Sequence, residues 1–282
     1  MTNAKAYSPT HITGFFAIYE NGSTGAGVNL QEGMITTVNA KKSKTTKIKI
    51  KINGKKEHAE TSRKVIEKYL AKVSENYSIQ VNHKTKAPIG YGLGVSGSGA
   101  LSLSIALNKA LKTNLTKAQI LEIAKQAEIE AGTGLGDVVA EQLHGILVGL
   151  PPFPSTKAKI IKSKKKFVVC GFFAPIKTKD IIRDETHKKK INEAGLYCME
   201  KILENPTAEN FVDQSIHFTL NSGLATKEVL KVMENIPKTS QSMLGSTTFT
   251  ITGNPSKVKK ELKKYCKKIL VSKIAEHGAR LL

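Results

Sequence analysis

The stretch PIGYGLGVSGSGALSLSIALNKAL, residues 88–111, constrains the fold of this chain more than any other. Five glycines and two serines fill its first half, and the apolar run that follows predicts a helix over Ala100–Lys112. Glycines leave backbone amides uncovered, and a helix N-terminus carries the positive end of the helix dipole. Amides in such a position bind phosphate oxygens, so the stretch predicts a phosphate-binding loop.

Other glycine-rich loops fit this stretch less well. Gly92, Gly94 and Gly97 match G-x-G-x-x-G, but Lys84–Pro88 separates them from the strand that a dinucleotide fingerprint should follow. Ala100 stands where a Walker A loop requires lysine. The H-R-D and D-F-G motifs of protein kinases do not occur in the sequence. A flexible Gly/Ser turn is the structural alternative, and the sharp junction with an apolar helix argues against it.

Size and hydropathy indicate a protein of two lobes. A chain of 282 residues, 40% of them hydrophobic, has enough apolar surface for one large core or two modest ones. The sequence has no run of eighteen apolar residues and no apolar signal core near its start, so we expect a cytoplasmic protein outside the membrane. Cys170, Cys198 and Cys266 lie far apart and are expected to be reduced packing residues.

The formal net charge of +21 raises nucleic acid as a partner. The positive charge comes almost entirely from lysine, because Arg63, Arg183 and Arg280 are the arginines of the sequence. Base readout and bidentate phosphate contacts favour arginine, and the lysine tracts are dispersed without interleaved aromatics. We therefore expect solvated lysine-rich faces and no specific nucleic-acid partner.

A proline cluster within GILVGLPPFPST, residues 145–156, predicts a boundary between two domains, 1–152 and 153–282. Strands are predicted at Ile12–Tyr19, Gly33–Val38, Thr46–Ile52, Ile79–His83, Lys157–Lys162, Phe167–Ala174, Met243–Thr252 and Ile269–Ala275. Helices are predicted at Ala59–Val73, Ala100–Lys112, Lys117–Glu130, Lys188–Glu204, Ala208–Leu220, Thr226–Asn235 and Ser256–Tyr265. The strand order is mostly not βαβ, which favours an α+β fold.

Two carboxylates near the end of the first domain are candidates for phosphoryl-transfer chemistry. Glu128 lies near the end of a predicted helix and Asp137 follows a glycine-rich turn, so both could face one cavity. One could hold Mg²⁺ and the other the nucleophile, while Ser96 or Ser98 could add a hydroxyl for the metal. Asp137 also suits the N-cap of the helix that follows it. Glu130 is the rival metal ligand.

Further candidates have ordinary structural alternatives. His11 stands beside a strand start, where a histidine is often a hydrogen-bonded packing residue. Ser23, Thr24 and the amides of Gly25–Gly27 are interpreted as a second anion-binding turn, with a plain hairpin turn as the alternative. Arg183 is a candidate carboxylate clamp or a surface ion-pair partner.

These motifs resemble those of the GHMP kinases. Residues 88–104 resemble the phosphate-binding motif, usually P-x-x-x-G-L-G-S-S-A-A, with two additional Gly/Ser residues and Val95 in place of the first serine. SPTHITGFFAI, residues 8–18, resembles the N-terminal substrate motif, in which His11 takes the place of a basic residue near the reacting hydroxyl. SMLGSTTFTI, residues 242–251, resembles the C-terminal glycine-rich motif with one glycine.

Within that superfamily the chain resembles the archaeal pantoate kinase family over nearly its whole length, through HITGFF, GSTGAGVNL, GVSGSGALSLSIALN, AEIEAGTGLGDVVAEQLHG, FAPIKTKDII, KINEAG, NSGLAT and SMLG in order. The resemblance implies a two-lobed α+β fold with the ATP site between the lobes. It also implies ATP- and Mg²⁺-dependent phosphorylation of the 4-hydroxyl of D-pantoate in coenzyme A biosynthesis. The alternatives are another small-molecule kinase of the mevalonate or homoserine type, or a non-catalytic nucleic-acid-binding protein. A homodimer is left open.

The same resemblance implies roles for single residues. Asp137 would be the catalytic base, with His11 beside the reacting hydroxyl, and Ser96 and Glu128 would bind the metal. The nucleotide would contact Gly92, Leu93, Gly94, Val95, Ser96, Gly97, Ser98, Gly99 and Ala100. The substrate would contact His11, Thr13, Ser23, Thr24, Gly25 and Gly245. The turn formed by Ser23, Thr24 and the amides of Gly25–Gly27 would suit the pantoate carboxylate.

Overall fold

The computed structural model describes residues 2–20, 22–134, 137–151, 157–175 and 185–282. The predicted domain boundary at residues 152 and 153 and the candidate clamp Arg183 lie outside the described residues, so both stay predictions. Within the described ranges, none of the helices combines the length and the apolar character that a membrane crossing requires.

The described elements combine helices with two sheets, which confirms the predicted α+β class. The strands are β1 (Thr2–Tyr19), β2 (Gly22–Lys42), β3 (Lys47–Ile52), β4 (Lys55–Lys56), β5 (Tyr77–Lys84), β6 (Ile146–Gly149), β7 (Ala158–Ile161), β8 (Phe167–Ala174), β9 (Thr239–Gln241), β10 (Ser246–Thr252), β11 (Lys268–Lys273) and β12 (Arg280–Leu281). The helices are α1 (Glu60–Leu70), α2 (Val95–Leu111), α3 (Lys117–Ala131), α4 (Asp137–Glu141), α5 (Glu185–Glu204), α6 (Ala208–Asn221), α7 (Lys227–Asn235) and α8 (Pro255–Leu262).

The larger sheet runs in the order β12-β1-β2-β5-β3-β4, with β6 paired to β2 and β7 paired to β6. β1 and β2 form a long antiparallel hairpin, while β3 pairs parallel with β5. Strand β3, KIKIKI, alternates lysine with isoleucine, and Ile50 is buried while Lys47 and Lys49 are exposed. Such alternation is what a strand with one covered face requires.

The β1–β2 hairpin extends well beyond the strands predicted from its sequence. Residues 23–27 lie within β2, so the prediction of a turn there is wrong. Anion binding by these residues stays a prediction. The glycines of this segment permit close packing across the hairpin. A Cβ atom built on Gly25 would lie 2.2 Å from the carbonyl oxygen of Phe15. One built on Gly27 would lie 2.3 Å from the ring of His11.

Helices α1, α2 and α3 cover the larger sheet and position the glycine-rich motif. Helix α2 packs against β1, β2, α1 and α3, and its leucines enter a core that includes Leu101, Leu103 and Leu107. Helix α3 begins with a capping box between Thr116 and Gln119 and ends at Gly132, whose φ is 63°. These local signals determine where α3 begins and ends, and the helix packs against α2.

The smaller sheet has the order β11-β8-β10-β9. Helix α6 contacts both β9 of this sheet and β1 of the larger one, and α5 packs against α6 and β1. Phe211 of α6 joins the two sheets, since its ring centroid is 6.1 Å from Phe15 of β1 and 6.1 Å from Phe249 of β10. The hydrophobic core is therefore continuous between the sheets. Strands β7 and β12 follow the predicted boundary in sequence and yet extend the larger sheet.

Candidate active site

The N-terminus of α2 forms the centre of the site. The helix begins at Val95, five residues before its predicted start, and its N-cap Gly94 has a φ of 60°, which glycine adopts without strain. No side chain of the described residues caps this terminus. The amide of Ser98 makes the first helical bond, 3.0 Å from the Gly94 carbonyl, so the amides of residues 95–97 have no helical acceptor. This arrangement suits an anion.

Hydrogen bonds to its carbonyl groups fix the glycine loop before α2. The carbonyl oxygens of Tyr91, Gly92 and Leu93 each accept a hydrogen bond from another part of the chain. The donors are Thr247 Oγ1 to Tyr91 at 2.8 Å, Ser242 Oγ to Gly92, and His11 N to Leu93 at 3.1 Å. Because the carbonyl groups are engaged, the loop is fixed in one conformation rather than being a flexible turn.

The C-terminal motif packs directly on this loop. A Cβ atom on Gly245 would lie 2.2 Å from the carbonyl oxygen of Tyr91, and one on Gly92 would lie 2.8 Å from the Gly245 nitrogen. The Met243 amide donates to the carbonyl of Thr13 at 2.9 Å. The structure thus brings together the three motifs that lie far apart in sequence. Substrate contacts by Thr13 and Gly245 stay predictions.

His11 is held in one tautomer by a residue that the sequence analysis missed. Nδ1 of His11 lies 2.7 Å from Oδ1 of Asn29. The Asn29 amide nitrogen donates to the carbonyls of Ala140 at 2.8 Å and Leu143 at 2.9 Å, so its oxygen must accept the Nδ1 proton. In the neutral ring Nε2 is then the acceptor, and it lies over Gly27. An asparagine inside a strand gives no local signal for this role.

His11 and Asp137 each shift the pKa of the other. Burial lowers the pKa of His11, against the charge of Asp137 and the hydrogen bond to Asn29, which raise it. Desolvation raises the pKa of the half-buried Asp137, against the effect of His11. A carboxylate with a raised pKa is a stronger proton acceptor. Asp137 is also the first residue of α4, where a negative charge interacts favourably with the helix dipole. A role in capping this helix is therefore compatible with its position.

Glu128 and Ser96 adjoin on facing helices. Glu128 lies in the last turn of α3 and is 2% exposed. Burial and the charge of Asp137 raise its pKa to about 8, although a hydrogen bond from Ser96 acts to lower it. Ser96 Oγ also lies 2.9 Å from Thr133 Oγ1 and 3.1 Å from Thr61 Oγ1. Oε2 of Glu128 has no hydrogen-bond partner in the described part of the chain. This oxygen is free to bind a cation.

Glu130, the rival metal ligand, lies outside the site. Two residues along an α-helix turn the side chain by about 200°, which directs Glu130 away from Glu128. It is exposed and forms an ion pair with Lys68, whose Nζ is 2.6 Å from its Oε1. The structure therefore favours Glu128 over Glu130 as the candidate metal ligand.

Glu141 is a third carboxylate of the site and was missed in the sequence. It is fully buried in α4, and neither oxygen has a hydrogen-bond partner among the described residues. A Cβ atom on Gly94 would lie 2.7 Å from its Oε1, and one on Gly97 would lie 2.8 Å from its Oε2. The spacing of Asp137 and Glu141 on one helix, four residues, was the available signal, because such residues share a face.

The structure does not bring every predicted residue to the end of α2. Ser23, Thr24 and Gly25 pair with Ile18, Ala17 and Phe16 along the hairpin. Ser98, Gly99 and Ala100 are buried inside α2 beyond its first three amides. Ligand contacts by these six residues stay predictions.

The residues around the N-terminus of α2 are suited to bind a nucleotide together with its cation. Amides without helical acceptors and carboxylate oxygens without partners meet around Gly94 and Gly97. The described residues contain no group of three or more histidine, cysteine, aspartate or glutamate side chains arranged to hold a metal alone. Mg²⁺ usually takes one or two carboxylates and completes its shell with phosphates and water. Glu128, Glu141 and Ser96 could supply such a partial set.

Comparison with known proteins agrees with this chemistry. Residues 60–145 match the family described as GHMP kinases N terminal domain. The chain is 38% identical to the pantoate kinase of Methanocaldococcus jannaschii over 256 residues, which are 87% of this chain and 92% of that protein. It is 29% identical to the pantoate kinase of Methanospirillum hungatei over 266 residues, 89% of this chain and 88% of that one.

The fold is also found among solved structures. A protein described as a phosphotransferase related to the CoA biosynthesis pathway superposes with a TM-score of 0.87 at 24% identity. The match covers 99% of this chain and 98% of that one. The whole described architecture is therefore that of a known fold.

Proposed function

The chain belongs to the pantoate kinase family of the GHMP kinase superfamily, and we propose that it transfers the γ-phosphoryl group of ATP to the 4-hydroxyl of D-pantoate. The convergence of the α2 N-terminus with His11 and three buried or half-buried carboxylates carries this proposal. Phosphoryl transfer needs positioning, charge neutralisation and a proton acceptor, and these residues offer all three.

The glycine loop and first turn of α2 would bind the ATP phosphates. The amides of residues 95–97 provide donors, and the engaged carbonyls of residues 91–93 keep the loop in the binding conformation. Gly94 and Gly97 have no side chain, and the carboxylates of Glu141 and Glu128 approach the backbone there, beside the amides that would bind phosphate. Preorganised donors of this kind stabilise charge without reorganising during the reaction.

Ser96 and Glu128 would hold Mg²⁺ beside these phosphates. The unpartnered Oε2 of Glu128 and the Ser96 hydroxyl are hard oxygen donors, which Mg²⁺ prefers. When bound, the ion neutralises phosphate charge.

Asp137 would accept the proton of the pantoate 4-hydroxyl. As that O–H bond breaks, the oxygen forms a bond to the γ-phosphorus, the bond from phosphorus to the bridging oxygen breaks, and ADP leaves. The raised pKa of Asp137 makes it a stronger acceptor. His11, neutral with Nε2 as acceptor, would hold a substrate hydroxyl in place.

A panel of acceptors tests the function. Purified protein is incubated with ATP, Mg²⁺ and pantoate, pantothenate, mevalonate, homoserine or shikimate, and the products are identified by mass. We expect a phosphorylated product with pantoate and turnover at least about 100-fold lower with the others, because a site built for one set of polar groups rejects ligands that leave them unpaired. Efficient phosphorylation of mevalonate or homoserine instead would overturn the assignment.

The remaining expectations are less specific. A cytoplasmic location, a homodimeric state and the lack of a specific nucleic-acid partner stay predictions. A gel shift with duplex DNA over a range of salt concentrations tests the last of these, since binding by dispersed lysines falls steeply with salt.

A further inference from the structure

We propose that Glu141 is a second carboxylate ligand, beside Glu128, of the divalent cation that binds with ATP. The inference rests on the proposed function and assigns a role to a residue that the described hydrogen bonds leave unexplained.

The burial of Glu141 calls for a compensating partner. Its side chain is fully buried, and neither carboxylate oxygen has a hydrogen-bond partner within the described ranges. A buried carboxylate without hydrogen bonds or a counterion is strongly unfavourable. A bound cation would supply the missing interaction.

The position of Glu141 matches that of Glu128 across the first turn of α2. A Cβ atom on Gly97 would lie 2.8 Å from Oε2 of Glu141 and 3.0 Å from Oε2 of Glu128. These two unpartnered oxygens are thus no further apart than the sum of those distances. Oε1 of Glu141 approaches Gly94 in the same way, at 2.7 Å, so Glu141 lies along the turn whose amides would bind phosphate.

The local charges favour a cation at the same point. The charges that act on Glu141 among the described residues come from Asp137 and Glu128, and both are negative. A divalent ion between Glu128 and Glu141 would offset two of these charges and leave Asp137 to act on the substrate. Two carboxylates with nucleotide phosphates are a common Mg²⁺ environment.

Binding of Mn²⁺, followed by electron paramagnetic resonance in the presence of the non-hydrolysable analogue AMPPCP, tests the inference. We expect Glu141→Gln to weaken Mn²⁺ binding by about tenfold or more, as Glu128→Gln should, because each removes a charged ligand. Glu130→Gln, at the exposed residue paired with Lys68, is the control and should leave the affinity unchanged. AMPPCP binding without metal should not weaken in Glu141→Gln.

A second pair of variants tests the inference in case Glu141→Gln does not fold. Gly97→Ala displaces both carboxylates without removing a charge, whereas a Cβ atom on Gly253 would meet nothing within 4 Å. We expect weakened Mn²⁺ binding in Gly97→Ala and normal binding in Gly253→Ala. Unchanged Mn²⁺ affinity in folded Glu141→Gln, or in Gly97→Ala should the former not fold, overturns the inference alone. Failure of the unmodified protein to bind AMPPCP overturns the proposed function, and the inference with it.

Discussion

His11 and Asn29 form a buried pair, 2.7 Å apart between Nδ1 and Oδ1, and Asn29 in turn bonds the end of α4. Asn29 achieves this because its amide nitrogen also bonds the carbonyls of Ala140 and Leu143. One side chain therefore fixes both the tautomer of His11 and the position of the helix that carries Asp137.

Replacing Asn29 by alanine should cost stability as well as turnover. The carbonyls of Ala140 and Leu143 would lose their donor, and an unsatisfied buried group costs about 1–3 kcal/mol. Urea unfolding measures the loss. Asn76→Ala is the control, because Asn76 is exposed and bonds Thr46 and the Lys44 carbonyl at the surface. Equal losses in the free energy of unfolding would show that the buried hydrogen bonds of Asn29 stabilise the protein no more than the exposed ones of Asn76.

Replacing Asp137 by asparagine should abolish most turnover while substrate binding survives. Loss of a general base costs about 10²–10⁴-fold, and it should appear in kcat with little change in KM. Loss of a helix cap would instead lower stability by about 1 kcal/mol with a small kinetic change. Steady-state kinetics and a melting curve on the same variant distinguish the roles, with Asp213→Asn, in an exposed ion pair with Lys238, as control. Near-normal kcat would assign Asp137 to capping.

Gly92→Ala should weaken ATP binding more than backbone strain alone explains. Gly92 and Gly54 both have left-handed backbones, with φ of 75° and 84°. A Cβ atom on Gly54 meets nothing within 4 Å, whereas one on Gly92 would lie 2.8 Å from the backbone nitrogen of Gly245. We expect about tenfold weaker ATP binding by calorimetry for Gly92→Ala and normal binding for Gly54→Ala. Normal binding in both would separate the contact with Gly245 from the nucleotide site.

His83 should make the folded state sensitive to acid. It is buried against Thr36 and Ser62, and burial lowers its pKa to about 4, from 6.5 in the unfolded chain. The unfolded state then binds the proton first as pH falls, so the stabilisation present above pH 6.5 is lost as pH falls towards 4.

Unfolding free energies at pH 7 and pH 5 measure this effect. The unmodified protein should lose about 2 kcal/mol more than His83→Gln between these values. His58→Gln, at an exposed histidine, is the matched control. Parallel pH profiles for the unmodified protein and His83→Gln would contradict the assignment.

The elements that were predicted well depend on neighbours in sequence. The ends of α3 follow from the Thr116–Gln119 capping box and from Gly132, and β3 follows from the alternation of KIKIKI. The glycine motif predicted a helix after it, and α2 does follow, although it begins five residues early; anion binding at its N-terminus stays a prediction. Glycines and serines at 96–99 have low helix propensity, and packing of α2 against the sheet overrides it.

By itself, the sequence determined the class of fold, the phosphate-binding motif and the candidates His11, Glu128 and Asp137, because these depend on local periodicity, backbone freedom and residue chemistry. The tertiary structure decided that residues 22–30 form a strand, and that Asn29 and Glu141 belong to the site. Both decisions depend on pairing and burial between segments about 20 to more than 100 residues apart. Such contacts form only when distant segments pack together, so local sequence patterns do not predict them.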